Sequence, residues 1–234
     1  MARDLDPEVV VVSRTEWADA AARRIAAGLH ASVAARGKAT ILLAGGNTPR
    51  PAYAQLAELF PRLPWDRIDV FFGDERAVPP DHPGANYRMA AETLLDPARV
   101  PDERRHRMPA ERPDREAAAH EYAELLPERP DLVLLGIGAD CHIASLFPGA
   151  SALHEQERRV VSVQSPRPPT WRLTVTPPVI AAARQRIVLA TGRDKAAAVA
   201  RALLGSEDAS ACPARLARAG VWILDSEAAP PPAS

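Results

Sequence analysis

Four places in the chain set residues capable of chemistry at the end of a short apolar run. TILLA (40 to 44) leads into Gly45, Gly46, Asn47 and Thr48; IDVFF (68 to 72) into Gly73, Asp74, Glu75 and Arg76; DLVLLG (131 to 136) into Ile137, Gly138, Ala139, Asp140, Cys141 and His142; and RIVLA (186 to 190) into TGRDKA, which carries Lys195. Paired glycines let a backbone approach a ligand closely, Thr48 is a good helix N-cap, and Pro49 suits a first helical position. A helix N-terminus with exposed N–H groups is an anion site, and phosphate is the anion that suits it; a plain strand-to-helix turn would use the same residues. No G-K-[ST] follows the glycines, so this is not a Walker loop.

If residues 140 to 142 are extended, Asp140 and His142 point the same way, and a carboxylate beside an imidazole fixes its tautomer and raises its basicity. His30, His82, His106, His120 and His154 stand in helical or loop stretches without such a partner and read as surface or packing residues. GIGADC half-matches a dinucleotide fingerprint but lacks its third glycine. Of 29 basic residues only Lys38 and Lys195 are lysines, so Lys195 is not the default surface charge. At a helix start its ammonium meets a phosphate as a point charge, or it is simply an exposed helix residue. Arg172, at the head of RLTVT, offers a second cation, although spacing alone favours a solvated arginine at a strand edge.

The elements that must position these residues alternate. Besides the four runs above, VVVVS (9 to 13), RVVSV (159 to 163), RLTVT (172 to 176) and VWILD (221 to 225) are short and β-rich, and Ala-rich helical stretches separate many of them. That alternation implies parallel strands with crossover helices. The clearest helix is TEWADAAARRIAAGLHASVAARG, where Trp17, Ala21, Ile25, Leu29 and Val33 fall four apart and Gly37 stands as a C-terminal glycine. The strands are continuous apolar runs, as expected when both sheet faces are covered. The expected architecture is a single three-layer α/β domain over 1 to 234, frayed in a Pro-rich tail from about 228. Segment 101 to 116, with acids interleaving its arginines, reads as a solvated loop before a helix at about 115 to 126.

Composition narrows the functional classes. Acids (30) nearly cancel bases (29), so no global field draws the chain to nucleic acid or to an anionic membrane, and any recognition of an anion is local. No stretch approaches the roughly 18 apolar residues of a membrane span, and the first apolar run is too short for a signal peptide, so a soluble cytoplasmic protein is expected. Cys141 and Cys212 are too few for a disulfide framework, which is consistent with a reducing compartment.

Six collinear strings, LLAGGNTPRPAYAQL, FFGDERAVPPDHPGANYRM, DLVLLGIGADCHIASLFPG, WRLTVT, TGRDKA and CPARLARAGVWILD, together resemble the 6-phosphogluconolactonase family, within the larger group that includes glucosamine-6-phosphate deaminases and isomerases. The resemblance implies a Rossmann-like fold with a mainly parallel sheet flanked by helices. It also implies hydrolysis of 6-phospho-D-glucono-1,5-lactone to 6-phosphogluconate in the pentose phosphate pathway, with no cofactor and no metal. The expected partner is that small substrate, with neither nucleic acid nor membrane, in a monomer or homodimer. By position His142 matches the family's general base, with Asp140 and Asp74 beside it and Arg76 in the matching G-D-E-R. Gly45, Gly46, Asn47 and Thr48, with Arg172 and Lys195, match the sugar-phosphate site, which turns the expectation for Arg172 toward a ligand contact. Asn47 stands where the family often has Ser, and Cys141 where it typically has Gly, a residue suited to positive φ.

Lactone hydrolysis needs an activated water, oxyanion stabilisation at C1 and a proton for the departing ring oxygen. His142 suits the first and third tasks. Asp140 or Asp74 would orient it, and Arg76 would stabilise the oxyanion or else form an ion pair with Asp74 or Glu75. A covalent serine route is disfavoured because no G-x-S-x-G elbow is present, and a metal route because no second ligand cluster accompanies Asp140 to His142. An amino-sugar phosphate deaminase/isomerase would need a glutamate near Phe147, and Arg76 replaces the tyrosine of that branch. A non-catalytic sugar-phosphate sensor is the alternative from another class.

Overall fold

The computed structural model describes residues 6–230. In chain order its main elements are β1 (Glu8–Val12), α1 (Trp17–Arg36), β2 (Ala39–Leu43), α2 (Arg50–Leu59), β3 (Ile68–Phe72), β4 (Asp74–Arg76), α3 (Asn86–Ala90), α4 (Arg115–Leu125), β5 (Leu132–Gly136), β6 (Val160–Gln164), β7 (Trp171–Val175), α5 (Pro177–Ala182), β8 (Gln185–Ala190), α6 (Arg193–Leu204) and β9 (Val221–Asp225). Strands β1, β9, β8, β5, β2 and β3 lie side by side in that order, every pair parallel.

The continuous apolar runs have the reason the sequence suggests. Successive side chains of a strand leave on opposite faces, so Leu132, Leu134, Ile187, Leu189 and Ile223 pack with α1 and α2 in one core. Val133, Leu135, Val188, Trp222 and Leu224 enter a second core with α4, α6 and the β6–β7 hairpin. The helix predicted from the four-residue spacing is α1, with Trp17, Ala21, Ile25 and Leu29 buried and Gly37 closing it in the left-handed conformation at φ 74°.

Two expectations are corrected at this level. RVVSV and RLTVT do not join the parallel sheet. They are β6 and β7, paired antiparallel with each other and, through β7, with β4 in a separate three-stranded sheet. The connection from Gln164 to Trp171 is too short for a parallel crossover, which takes about a dozen residues or more. Nor is 101 to 116 simply a solvated loop. Its backbone runs beside β3, with His106 N–H bonded to Val70 O at 2.8 Å, the His106 ring stacked on Phe71 at 4.3 Å, and Met108 and Ala110 buried. The charges of this segment conceal the alternate residues that face inward.

Of the tail expected to fray from about 228, Ala228 is buried and its N–H donates to Asp225 Oδ1 at 2.8 Å, while residues 231 to 234 lie outside the described ones. Among the described residues no helix is long and apolar enough to cross a membrane.

Candidate active site

The chain leaves β2 through α2 for β3 at one edge of the sheet, and leaves β5 for β8 and β9 toward the other. Such a reversal of strand order opens a crevice at the carboxyl ends of the two neighbouring strands. A cleft of about 390 Å³ occupies that place. Gly45, Gly46, Asn47, Thr48, Asp74, Arg76, His142, Arg172 and Lys195 all line it, and Asp140 stands against His142.

The glycine junction is pinned from below by a residue with no motif to announce it. Tyr53, fully buried on α2, accepts the Ala44 N–H and donates to the Ala44 carbonyl, both at 2.9 Å, and burial pushes its phenol pKa far up, so it stays neutral. Gly45 is required by space, since a Cβ there would lie 2.2 Å from the Asn86 amide, and Gly46 by its φ of 86°. The N-cap expected at Thr48 is not formed: α2 begins at Arg50 with Pro49 in the cap position and no side-chain cap bond. A Thr48 cap would need the N–H of residue 50 or 51. Arg50 N–H goes to Asn47 O at 3.3 Å, and Pro51 has none. Thr48 therefore faces the cleft with its hydroxyl uncommitted to the helix.

His142 is held differently from the extended arrangement anticipated above. Cys141 N–H donates to Gly138 O and Gly138 N–H to His142 O, both at 2.9 Å, and Cys141 has φ 76°. This is the bonding of a tight turn followed by a left-handed residue. The turn, and not strand alternation, brings Asp140 Oδ1 to 2.5 Å from His142 Nδ1. Burial acts to raise the Asp140 pKa, but the hydrogen bonds and charge of His142 outweigh it and hold the carboxyl below its ordinary value. An ionised carboxylate only accepts, so Nδ1 carries the proton and Nε2 is left as the basic nitrogen. Gly138 belongs to the same arrangement: a Cβ on it would lie 2.0 Å from His142 Nδ1 and 2.4 Å from Asp140 Oδ1. The imidazole lies 4.9 Å from the Phe147 ring.

Asp74, expected near His142, serves another group. It accepts from Ser145 Oγ at 2.6 Å and from Asn86 Nδ2 at 3.2 Å, and lies 3.9 Å from Arg172. Ser145 is also 3.4 Å from Arg172. Arg172 is thus no solvated strand-edge arginine: it is 9% exposed, with its guanidinium 5.7 Å from the Phe147 ring, and burial lowers its pKa against the opposing charge of Asp74. Arg76 stands directly opposite Arg172 in the β4–β7 register. Like charges opposed across strands are destabilising unless something anionic is shared between them. The Arg76 guanidinium donates to Gly84 O at 2.6 Å, and among the described residues it forms no ion pair with Asp74 or Glu75. The Nε atoms of both arginines and Oδ1 of Asn86 are buried without a hydrogen-bond partner among the described residues.

Beneath Arg76, Glu75 is 3% exposed and accepts the N–H groups of Arg76, Asn86 and Tyr87, each at 2.7 Å. Burial pushes its carboxyl up to about 7 despite those bonds. It fixes β4 to the start of α3 and lies outside the cleft lining. Lys195 lies in the first turn of α6, beside Asp194 at 3.1 Å. The turn into α6 passes through Gly192 at φ 92°, whose N–H is held at 2.9 Å by the buried Asp225 carboxylate. Reading motifs in the sequence misses Tyr53, Asn86, Gly138, Ser145 and Asp225, because each acts through a partner on another element or through lack of space. Among the described residues no group of three or more His, Cys, Asp and Glu comes together to hold a metal.

Fold and site define a doubly wound α/β protein whose switch-point cleft sets a His–Asp pair facing cations and backbone donors, a class suited to small anionic ligands. Residues 12–224 match the family model described as glucosamine-6-phosphate isomerases/6-phosphogluconolactonase, and the chain belongs to that family. The 6-phosphogluconolactonase of Streptomyces coelicolor is 40% identical to it, covering 95% of this chain and 94% of the relative. That of Synechocystis is 39% identical over 84% and 86% respectively. The solved structure of Trypanosoma brucei 6-phosphogluconolactonase is 33% identical, with a TM-score of 0.83 over 96% of this chain and 98% of that one. A monomeric glucosamine-6-phosphate deaminase, 24% identical with a TM-score of 0.79 over 94% of this chain and 98% of that one, shares the fold.

Proposed function

We propose that this chain hydrolyses 6-phospho-D-glucono-1,5-lactone to 6-phosphogluconate, the lactone step of the oxidative pentose phosphate pathway, with His142 as general base. The observation that carries the reading is the Asp140–His142 pair at 2.5 Å in a cleft shared with Lys195, Arg172 and the glycine junction, in a chain so similar to several 6-phosphogluconolactonases.

Neutral His142 takes a proton from water at Nε2 as the oxygen adds to C1. The tetrahedral oxyanion faces Arg76, which is free of ion pairs among the described residues and so has charge to offer. Collapse breaks the bond from C1 to the ring oxygen, and the imidazolium returns its proton to that oxygen, leaving the open-chain acid. Asp140 keeps the imidazole in the required tautomer. Asp74, with Ser145, holds Arg172 toward the cleft. Arg172, Lys195 and the Gly45 to Thr48 backbone would take the phosphate.

The amino-sugar branch finds no support in the residues. Phe147, between His142 and Arg172, has no acid or base where a ring-opening carboxylate would be needed. Lactone hydrolysis above the spontaneous background, measured beside ammonia release from glucosamine 6-phosphate, separates these readings. Turnover of the lactone with no ammonia is expected. Ammonia at a comparable rate would move the chain to the other branch, and neither activity would leave a binding protein.

A further inference from the structure

Cys141 and Cys212, 71 residues apart in sequence and both fully buried, are joined by a disulfide, with their Cα atoms 5.1 Å apart. Two cysteines at that spacing carry no pattern a sequence reading can use, and the expectation that they form no disulfide framework did not anticipate a single bridge. Its position gives it meaning. Cys141 separates Asp140 from His142 and sits at φ 76°, a left-handed conformation that costs a side-chain-bearing residue and persists only where its surroundings impose it. The restraints on it converge from three sides. Its N–H bonds to Gly138 O, its carbonyl accepts from Ala214 N–H at 3.0 Å, and its Sγ lies 3.5 Å from Ala198 O on α6, one turn beyond Lys195.

We propose that the Cys141–Cys212 pair is a redox-sensitive latch on the catalytic turn: the disulfide holds residue 141 left-handed and so keeps His142 on Asp140, and the dithiol lets the turn relax and turnover fall. The inference rests on His142 being the base. Once the bridge is broken, only hydrogen bonds and the packing around the Cys141 side chain oppose rotation of a non-glycine residue out of the left-handed region. Any such rotation swings the 141–142 peptide and with it the imidazole, which already packs against Gly138 without space for a methyl group. Cys212 is therefore a positioning residue, acting on His142 through Cys141.

The exchange is ordinary thiol chemistry. A thiolate of an external dithiol attacks Cys212 Sγ, the bond to Cys141 Sγ breaks, and Cys141 leaves as a thiolate that takes up a proton. The second thiolate of the reagent then closes its own disulfide and releases Cys212. The two cysteines gain two electrons and two protons, the dithiol loses them, and a low-molecular-weight disulfide reverses the process. Entry is from the side of Cys212, because the preceding residues from Ser206 to Asp208 are exposed, whereas Cys141 is enclosed by α6 and the Pro213–Ala217 turn.

The test measures lactone turnover in protein treated with excess dithiothreitol or with oxidised dithiothreitol, with thiols counted by alkylation and mass measurement after denaturation. The oxidised protein should show no alkylated cysteine. The reduced protein should show two, with kcat lower by about tenfold or more, KM little changed, and recovery on reoxidation. Cys212→Ala should have the low kcat under both conditions, and adding Cys141→Gly to it should raise kcat again and abolish the response to dithiol, since glycine adopts the left-handed conformation freely. Two free thiols under oxidising conditions, or an unchanged kcat in protein shown to be fully reduced, would overturn the latch. His142→Ala in the oxidised protein separates the two ideas. If it stays active the base assignment fails; if it is inactive while wild-type turnover ignores the bridge, only the latch fails.

Discussion

The Asp140–His142 contact is a short-range device that depends on a residue having no side chain. Removing the imidazole removes both proton transfers proposed for it, so His142→Ala should lower kcat by at least about 100-fold while product still binds. A folded variant with near-wild-type turnover would refute the base assignment. Gly138→Ala is the subtler probe. Its methyl group would fall 2.0 Å from His142 Nδ1, so the ring must move off Asp140. We expect kcat to drop toward that of His142→Ala with a smaller change in KM, because neither the glycine junction nor Lys195 is touched. Equal activity would mean that the turn yields without moving the ring.

At the scale of elements, the phosphate reading belongs to three different ones: the β2–α2 junction, β7 with Arg172, and α6 with Lys195. Each hydrogen bond to a charged group contributes roughly 1.5 to 3 kcal/mol. Unphosphorylated gluconolactone leaves those donors facing water, so its kcat/KM should fall by several orders of magnitude. Lys195→Ala and Arg172→Ala should each erode the preference for the phosphorylated lactone while scarcely changing the slow rate on the other. Kinetics on both substrates decide it: equal slowing of the two would assign these cations to chemistry or to folding. The element that pairs with the Arg172 strand is the least legible in the sequence. β4 is three residues long, Asp74–Arg76, follows β3 after a single glycine and pairs out of the main sheet. Its charged composition does not announce a strand.

For the molecule as a whole, Glu75 couples stability to pH. Its carboxyl titrates near 7 in the folded protein against an ordinary 4.5, so between those values the folded state binds the extra proton. Its contribution is complete below about pH 4.5 and is lost as pH rises through about 7, a change on the order of 3 kcal/mol. Urea unfolding at pH 5 and pH 8 should show wild type losing more stability over that interval than Glu75→Gln, which has no such proton to lose. Parallel losses in the two proteins would show that Glu75 keeps its ordinary pKa.

What the sequence alone determined follows from local rules. Apolar runs of strand length between Ala-rich helices specify a layered α/β domain, because the runs that become its inner strands bury both faces, while the edge strand β1 leaves Val9 and Val11 exposed. The polar residues that end those runs mark the switch-point cleft, because strand ends are where such a sheet binds. The sequence also placed Asp140 beside His142, although for a reason that proved incorrect: a turn, not an extended strand, joins them. Tertiary structure alone decided that Asp74 serves Arg172 and Ser145, that Tyr53 pins the glycine junction, that RLTVT leaves the parallel sheet to stand Arg172 opposite Arg76, and that Cys141 meets Cys212. All but the nine-residue reach from Tyr53 to Ala44 are contacts between segments far apart in the chain. Apart from the short connection that makes β6 and β7 a hairpin, no periodicity or spacing encodes them, since they exist only once packing has brought two backbones within a side chain's reach.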